Sequence, residues 1–168
     1  DITSDLGVAA FRCETIEVPE ERQMPFYALP SAGSGCHPSR EVALARALCE
    51  AAQSRLTAIS GAREDLTPVF YCSDAREIAA KRQHLLHAPF GCRAYDSGTV
   101  ACHGTASDGV SWLLQRLAAW GFREVAVFDM ERPLGSGVLV TRALIPGLET
   151  HCGHPRYQPG PRIHSQIA

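Results

Sequence analysis

The sequence predicts an α+β (mixed α/β) fold in which helices pack on one face of a mixed β-sheet. Three observations support this prediction: a long helical pattern at residues 40–60, two further helical patterns downstream, and runs of strand-forming residues near both ends of the chain. Helices joined to strands by short connections typically form a layer on one face of a sheet. The chain is long enough to build one domain with a core.

The first element is a predicted strand within residues 6–16, which are rich in strand formers. A short strand is predicted at 26–29, followed by a glycine-rich loop at 30–38 that leads into the long helix. A glycine-rich loop before a helix can bind phosphate at the helix N-terminus. Segment 30–38 lacks the spacing and the Lys of a P-loop. Substrate access past a flexible loop is an alternative, and a plain connector is the favoured interpretation.

The long helix has clear ends, because Ser39 can act as its N-cap and Gly61 can end it in a left-handed conformation. At about 100° per residue, the pattern predicts one core-facing apolar arc and one polar arc. The apolar arc contains Val42, Leu44, Ala45, Leu48, Cys49, Ala51, Ala52, Leu56 and Ile59, and the polar arc contains Arg46, Glu50, Gln53, Ser54 and Thr57. Arg55 lies within the apolar arc, where its guanidinium must snorkel or find acceptors.

The later elements are two helices and two strands. A second helix is predicted at 75–87 with a thin apolar stripe, and 90–105 is predicted to be an irregular, exposed insertion. A third helix is expected to begin at Ser107 or Asp108 and to end at Gly121.

The two final strands are predicted at 124–129 and 137–145. The first is expected to be a buried strand, and the second follows a glycine-rich turn.

Composition excludes several classes of partner. A net charge of −2 and a pI near 6.4 argue against a nucleic-acid or membrane partner held by electrostatics. The sequence has no apolar run long enough to span a membrane, so we expect a cytoplasmic protein. Seven scattered cysteines fit reduced thiols better than a disulfide framework. Because Asp1 already lies in an apparent strand motif, we expect an excised domain or a processed fragment.

Several stretches of the chain resemble the YcaO family. Residues 33–37, 41–57 and 60–65 are similar to the third conserved block of that family. Residues 145–149 look like its strand-end signature, and residues 1–8 look like a strand that leads into the same region.

The resembling block contains the pattern Glu-x-x-Gln-x-Arg at Glu50, Gln53 and Arg55. The resemblance implies a protein that binds ATP and magnesium and activates a peptide backbone amide by phosphorylating its oxygen, which leads to an azoline or a thioamide. It implies that Glu50 is a magnesium ligand and that Glu50, Gln53 and Arg55 contact the nucleotide. The catalytic residues remain unassigned.

The chain departs from the family in its extent. Two earlier acid-rich blocks have no counterpart here, so residues 1–149 resemble the C-terminal half of a YcaO domain and residues 150–168 form a Pro/Gly-rich tail. The tail lacks the Pro-x-Pro-x-Pro ending of azoline-forming members, which favours the group that acts with a TfuA-type partner. We therefore expect the parent protein to be an enzyme and the isolated chain to be inactive.

The expected partners are a peptide or protein substrate, a TfuA-type protein and the N-terminal half of the domain, with a homodimer left open. The alternative function is a non-catalytic fragment or binding module that recognises a peptide or partner without turnover.

Other chemistry is also open at this stage. Paired Cys and His residues can bind zinc; the candidates are Cys36, His37, Cys102, His103, His151, Cys152 and His154. Cys36 beside His37 could form a thiol nucleophile, although sequence neighbours rarely face each other. Glu64 and Asp65 either extend the metal site or form a solvated turn.

Overall fold

The computed structural model describes residues 1–16, 31–61, 63–65, 75–87, 94–95, 104–130, 137–148, 158, 160 and 162. The chain divides into two compact units, residues 1–113 and residues 114–168. None of the helices in the described ranges is long and apolar enough to cross a membrane.

The described elements confirm the α+β class. Strand β1 (Ala10–Thr15) pairs antiparallel with β2 (Ser31–Cys36), with Ala10 opposite Cys36 and Thr15 opposite Ser31. Helix α1 (Arg40–Ser60) packs on these two strands. The remaining elements, in chain order, are α2 (Ala75–His87), α3 (Ala106–Ala119), β3 (Ala126–Asp129) and β4 (Thr141–Leu144). Both strand pairs in the described ranges are antiparallel.

Strand β2 corrects the prediction of a loop at 30–38. Its residues Ser31, Gly33 and Gly35 alternate along the strand and are all buried. A Cβ on Gly33 would lie 2.7 Å from the Glu50 carbonyl carbon and would overlap the backbone of α1. The glycines therefore permit a close approach of strand and helix rather than a turn.

Helix α1 has the predicted ends but buries a different side. Ser39 Oγ accepts a hydrogen bond from Val42 N, and Gly61 has φ +59° with its N–H donating to Thr57 O. The buried residues of α1 are Arg40, Ala43, Ala47 and Ala51. The large side chains that the apolar arc placed in the core are exposed: Leu48 (51%), Leu56 (65%) and Ile59 (62%). The prediction of the core-facing arc is therefore wrong for these three residues, because the side facing β2 needs small residues. It is confirmed for Ala51, which is buried, and for Leu44, which packs against the core.

Arg40 ties three segments of the first unit together. Its Nε donates to Tyr95 O at 2.6 Å, and its Nη2 pairs with Asp1 Oδ2 at 2.9 Å. The guanidinium carbon lies 4.8 Å from the centre of the Phe11 ring and 5.1 Å from that of Tyr95. Charge-assisted hydrogen bonds and cation–π contacts offset part of the cost of burying this charge. Its Nη1 atom is buried without a hydrogen-bond partner.

Helices α2 and α3 match their predicted positions, with one shifted start. Helix α2 spans the predicted residues and buries Ile78. Helix α3 begins after Thr105 rather than at Ser107 or Asp108, because Thr105 and Asp108 form a reciprocal cap: Thr105 N donates to Asp108 Oδ2 and Asp108 N donates to Thr105 Oγ1. Hydrogen bonds from Thr105 lower the pKa of the Asp108 carboxyl.

The second unit contains the β3–β4 hairpin and the end of α3. Gly121 has φ +87°, which confirms it as the helix terminator. Strand β3 forms within the predicted segment, but the prediction that it is buried is wrong: Val127 is 64% exposed and Phe128 is 53% exposed. Strand β4 is shorter than predicted, and Leu148 N donates to Ile145 O in the turn that follows it.

Two predictions concern residues that are not described. The strand at 26–29 lies outside the described ranges, as does most of the insertion predicted at 90–105.

We predict that Gly33→Ala strongly destabilises the protein, because the added Cβ would overlap the α1 backbone. Overpacking of this kind costs about 3 kcal/mol, the upper end of the usual range. Gly109→Ala is the matched control: Gly109 lies within α3, and its added Cβ would come no closer than 3.9 Å to another atom. That variant should gain about 0.5–1 kcal/mol. Urea unfolding measures both, and equal stability of the two variants would contradict the close approach.

Candidate functional site

One side of α1 carries a line of polar side chains, which we call the polar strip: Arg46, Glu50, Gln53 and Thr57. Because the α-helix has about 3.6 residues per turn, these positions lie on one side of it. Arg46, Glu50 and Gln53 are exposed, and Thr57 is half-buried. The strip is therefore open to a ligand over about three turns.

The polar strip runs beside strand β2. Ser34 N donates a hydrogen bond to Glu50 Oε2 at 3.3 Å, and Ser34 itself is exposed. A Cβ placed on Gly35 would lie 2.8 Å from the Cβ of Arg46, which puts that end of the strip against the strand as well. The packing of α1 on β2 therefore fixes where Glu50 stands.

Glu50 is suited to occupy one coordination position of a magnesium ion. Its carboxylate is exposed, and Ser34 N–H donates to only one of its two oxygens. Magnesium takes one or two carboxylates and fills its remaining positions with water and phosphate oxygens. Among the described residues, no group of three or more His, Cys, Asp or Glu side chains could hold a metal ion.

The surface ion pair that helical spacing allows between Arg46 and Glu50 does not form within the described ranges. The Arg46 guanidinium instead influences Cys36 on β2. Burial raises the pKa of the Cys36 thiol, and the positive charge of Arg46 partly opposes that increase. Arg46 and Glu50 thus present opposite charges along the strip without neutralising each other in a direct contact.

Gln53 lies about one helical turn from Glu50 on the same exposed side. Its side-chain amide offers both a donor and an acceptor, which suits contact with the polar groups of a nucleotide. The structure therefore brings together two of the three residues of the Glu-x-x-Gln-x-Arg pattern.

Arg55 stands apart from the other two residues. Two residues of helix rotate it to about 160° from Gln53 around the axis, so it leaves α1 on another side. Its side chain is half-buried, and it is not free of partners. A ligand that contacts Glu50 and Arg55 together must reach around the helix or along its end.

Cys36 and His37 do not form a reactive pair in this structure. Burial raises the pKa of the Cys36 thiol, which disfavours the thiolate that a nucleophile needs. His37 Nδ1 accepts a hydrogen bond from Ser39 N at 2.9 Å, next to the start of α1. The other Cys and His residues of the zinc interpretation, from Cys102 to His154, lie outside the described ranges.

Asp65 is engaged by its neighbour. Arg63 Nε donates to Asp65 Oδ1 at 2.8 Å, Arg63 Nη2 also pairs with Asp65 Oδ2, and these hydrogen bonds lower the pKa of the carboxyl. All three residues 63–65 are exposed. This arrangement favours the solvated-turn interpretation of Glu64 and Asp65 over an extension of the metal site.

A separate open cavity of about 560 Å³ lies between β1 and α2, lined by Arg12, Glu14, Ile16, Lys81, His84 and Leu85. Arg12 Nε pairs with Glu14 Oε1 at 2.9 Å, and Lys81 Nζ lies 4.0 Å from Glu14 Oε2. Arg12 and Lys81 carry two positive charges against the single carboxylate of Glu14, so the lining has a net charge of +1 with His84 neutral.

Sequence reasoning missed the role of Ser34, whose backbone N–H holds Glu50. A signal was present in the alternation of residues 31–36, Ser-Ala-Gly-Ser-Gly-Cys, in which every second residue is small enough to face a close neighbour. Read with a period of two, the segment predicts a strand whose other residues, including Ser34, face outward.

Comparison with known proteins shows which family this chain resembles. A model described as the YcaO cyclodehydratase, ATP- and Mg²⁺-binding, matches residues 1–149. An uncharacterised protein of the tfuA 3′ region of Rhizobium leguminosarum bv. trifolii is 32% identical over 99% of this chain and 40% of its own length. An uncharacterised protein of Methanothermobacter thermautotrophicus is 32% identical over 99% of this chain and 42% of its own length.

A shorter match is stronger in identity. An uncharacterised protein of Mycobacterium tuberculosis is 64% identical over 39 residues, which are 23% of this chain and 9% of that protein. The chain spans about two-fifths of the length of the first two relatives.

Proposed function

The chain belongs to the YcaO family, and we propose that it is part of an enzyme that uses ATP and magnesium to activate a peptide backbone amide. The observation that carries the proposal is Glu50: an exposed carboxylate, held by Ser34 N–H through one oxygen, beside Gln53 on an open side of α1. The description of the matching family as ATP- and Mg²⁺-binding supports these two ligands.

The proposed reaction transfers the γ-phosphoryl group of ATP to the amide oxygen and releases ADP. The oxygen leaves the carbon as phosphate, and its place is taken by sulfur from an external donor, which gives a thioamide, or by a neighbouring Cys, Ser or Thr side chain, which gives an azoline. Magnesium supplies charge neutralisation at the polyphosphate. In this proposal Glu50 holds the metal, and Gln53 and Arg55 orient the nucleotide.

Thioamide formation is the favoured outcome of the two. The tail lacks the Pro-x-Pro-x-Pro ending of azoline-forming members, and one relative is named for its position in the tfuA 3′ region. We propose on these two grounds that a TfuA-type protein is the partner of the complete enzyme and that a peptide or protein is its substrate.

The alternative is a binding module that recognises a peptide or partner protein without turnover. One observation supports it: the described residues contain no group of three or more His, Cys, Asp or Glu side chains that could hold a metal ion. An ATPase assay separates the two functions, because only the enzyme consumes ATP in response to peptide.

We predict that Glu50→Gln abolishes magnesium-dependent ATP consumption in the complete enzyme. The change removes one negative charge at nearly constant volume, and loss of a metal ligand costs several kcal/mol of transition-state stabilisation, about 100-fold or more in rate. Because Glu50 is exposed, its loss should alter the free energy of unfolding by no more than about 0.5 kcal/mol.

The control for Glu50 is Glu77→Gln, which changes another exposed carboxylate, on α2. It should retain normal ATP consumption and normal modification of the peptide. If Glu50→Gln behaves like the control, Glu50 is not a metal ligand.

We predict that Arg55→Lys raises the KM for ATP by about tenfold or more, equivalent to about 1.4 kcal/mol. A planar guanidinium can bind phosphate oxygens through two parallel hydrogen bonds, which an ammonium cannot reproduce. Melting temperature should change little, since Lys retains the charge and the aliphatic stem. Arg123→Lys, at an exposed position, is the control. A less stable Arg55→Lys protein with an unchanged KM would show that Arg55 serves the fold alone.

We predict that the isolated chain binds ATP weakly, because a magnesium polyphosphate normally needs charged groups from several elements at once. A ligand present at about 100 times its Kd stabilises the folded state by about 2.7 kcal/mol, which a melting experiment detects readily. Millimolar ATP with magnesium should leave the melting temperature of this chain unchanged. A clear increase would reveal a self-sufficient nucleotide site.

A further inference from the structure

Strand β1 turns backbone hydrogen-bonding groups away from β2 along its outer edge. In an antiparallel pair, every second residue directs its N–H and C=O away from the partner strand. Ser34 N donates to Glu50 Oε2, so Ser34 and its register partner Arg12 occupy such an outward-facing position. Glu14, which pairs with Ala32, occupies the next one along β1. The edge at Arg12 and Glu14 therefore presents two N–H donors and two C=O acceptors.

The same edge already forms hydrogen bonds two residues earlier. Ala10 has the same orientation as Arg12; its C=O accepts from Ile2 N at 2.9 Å, and its N–H donates to Thr3 Oγ1 at 3.0 Å. Within the part of the chain that the structure describes, no backbone hydrogen bond at this edge involves Arg12 or Glu14. An extended peptide can therefore bond to these two residues as a third strand.

The open cavity between β1 and α2 lies beside this edge. Successive side chains of a strand point to opposite faces, and Phe11 packs in the core with α1. Arg12, Glu14 and Ile16 therefore lie on the other face, where they line the cavity together with residues of α2. In an added strand, the side chain directly opposite Arg12 would point to this same face and into the cavity.

The cavity offers positive charge to an acidic side chain. Arg12 and Lys81 outnumber the single carboxylate of Glu14, which gives the net charge of +1 with His84 neutral. Within the described ranges, Glu14 engages Arg12 through Nε, at 2.9 Å, so the terminal guanidinium nitrogens remain to bind a carboxylate. Lys81 Nζ lies 4.0 Å from Glu14 Oε2, which is beyond hydrogen-bond distance.

We propose that β1 binds an extended acidic segment of the peptide substrate as an added strand. An aspartate or glutamate opposite Arg12 would have its Cβ about 5 Å from that of Arg12, within reach of both cations. A second carboxylate opposite Glu14 would be repelled, and Ile16 and Leu85 favour an apolar residue at that end of the cavity. The recognised pattern is therefore an acidic residue with an apolar residue two positions away.

The identity of this segment as substrate rests on the proposed function. Binding of such a segment rests on the edge of β1 and on the charge of the cavity alone, so it can be measured without nucleotide or turnover.

The test measures binding of a rhodamine-labelled peptide, Thr-Leu-Thr-Asp-Thr-Leu-Thr, to this 168-residue chain by fluorescence anisotropy. Leucine lies two positions from the aspartate on both sides, so the peptide fits in either strand direction. Binding should be saturable. Replacing the aspartate by asparagine should weaken it by about tenfold, because charge-assisted hydrogen bonds are lost. N-methyl groups on the five central residues should abolish it, because they remove the backbone donors of the added strand.

Variants of the chain separate charge recognition from a structural role. Arg12→Gln and Lys81→Gln should each weaken binding by about two- to fivefold, the range of exposed ion pairs. Glu14→Gln should strengthen binding by a similar factor, because it removes the carboxylate that competes for the same two cations. The control is Arg76→Gln, which removes an exposed cation of α2 outside the cavity lining and should leave the affinity unchanged.

Hydrogen exchange locates the peptide on the strand. The amides of Arg12 and Glu14 should exchange more slowly in the complex, whereas those of Phe11 and Cys13, which point to β2, should be unchanged. Unchanged exchange at Arg12 and Glu14, or equal binding of the N-methylated peptide, would overturn the added strand.

The remaining outcomes also decide the matter. Absence of saturable binding, equal effects of Lys81→Gln and Arg76→Gln, or weaker binding by Glu14→Gln would contradict recognition at this cavity. If binding follows the expected pattern and the complete enzyme consumes no ATP with peptides that bind, the proposed function is wrong and the peptide site stands. If the complete enzyme modifies peptides that this edge does not bind, the peptide site is wrong and the proposed function stands.

Discussion

The close approach of α1 to β2 is the constraint on which the rest of the first unit depends. Gly33 and Gly35 leave no room for a Cβ between the strand and the helix, and the alanines at 43, 47 and 51 meet them from the helix side. Contact at this distance replaces large interlocking side chains with backbone packing, whose dispersion energy accumulates over many atom pairs. We call this contact between the glycines of β2 and the alanines of α1 the glycine seam. Ser31 Oγ donates a hydrogen bond to the Ala51 carbonyl within it. A strand that looks like a loop by composition is therefore the element that sets the position of the helix.

The close contact between α1 and β2 also explains how one helix presents three different sides: a packed side, the polar strip and an apolar side. With Ala47 at the glycine seam, helical rotation directs Glu50 along the edge of β2, where Ser34 N–H meets its carboxylate. The remaining side of the helix, which we call its apolar side, carries exposed leucine and isoleucine side chains. Because the helix is rigid and its rotation is fixed at the seam, the polar strip and the apolar side cannot shift independently. Any change that rotates α1 would move Glu50 away from Ser34 and would alter both surfaces together.

Much of the local structure could be predicted from sequence, because its signals are local. Ser39 and Gly61 define the ends of α1 through hydrogen-bonding and backbone rules that act within a few residues, and the structure confirms both. The core side of α1 could not be predicted from periodicity. A hydrophobicity pattern assigns leucine to the core before alanine, and it contains no information that two glycines pack against Ala43 and Ala47. Exposure of Val127 and Phe128 was missed for a related reason: a run of apolar residues predicts a strand and says nothing about what lies against it. The family match covers residues 1–149, while the grouping of Glu50 with Gln53 follows from helical spacing.

Arg55 shows how these surfaces bear on one another. On the helix it stands between the seam side, at Ala51, and the apolar side, at Leu48, each within about 40° of it. A charged side chain beside the buried Ala51 is compatible with that packing only if its guanidinium points away from β2 or finds polar partners. Glu50 and Gln53 stand at the other border of the same helix. A nucleotide that contacted both borders would have to reach around α1 or along its end. If Arg55 instead only supports the packing of α1 on β2, Arg55 and the polar strip would be energetically independent. The coupling between Arg55 and Glu50 in a double-mutant cycle on ATP binding therefore distinguishes one extended site from two separate surfaces.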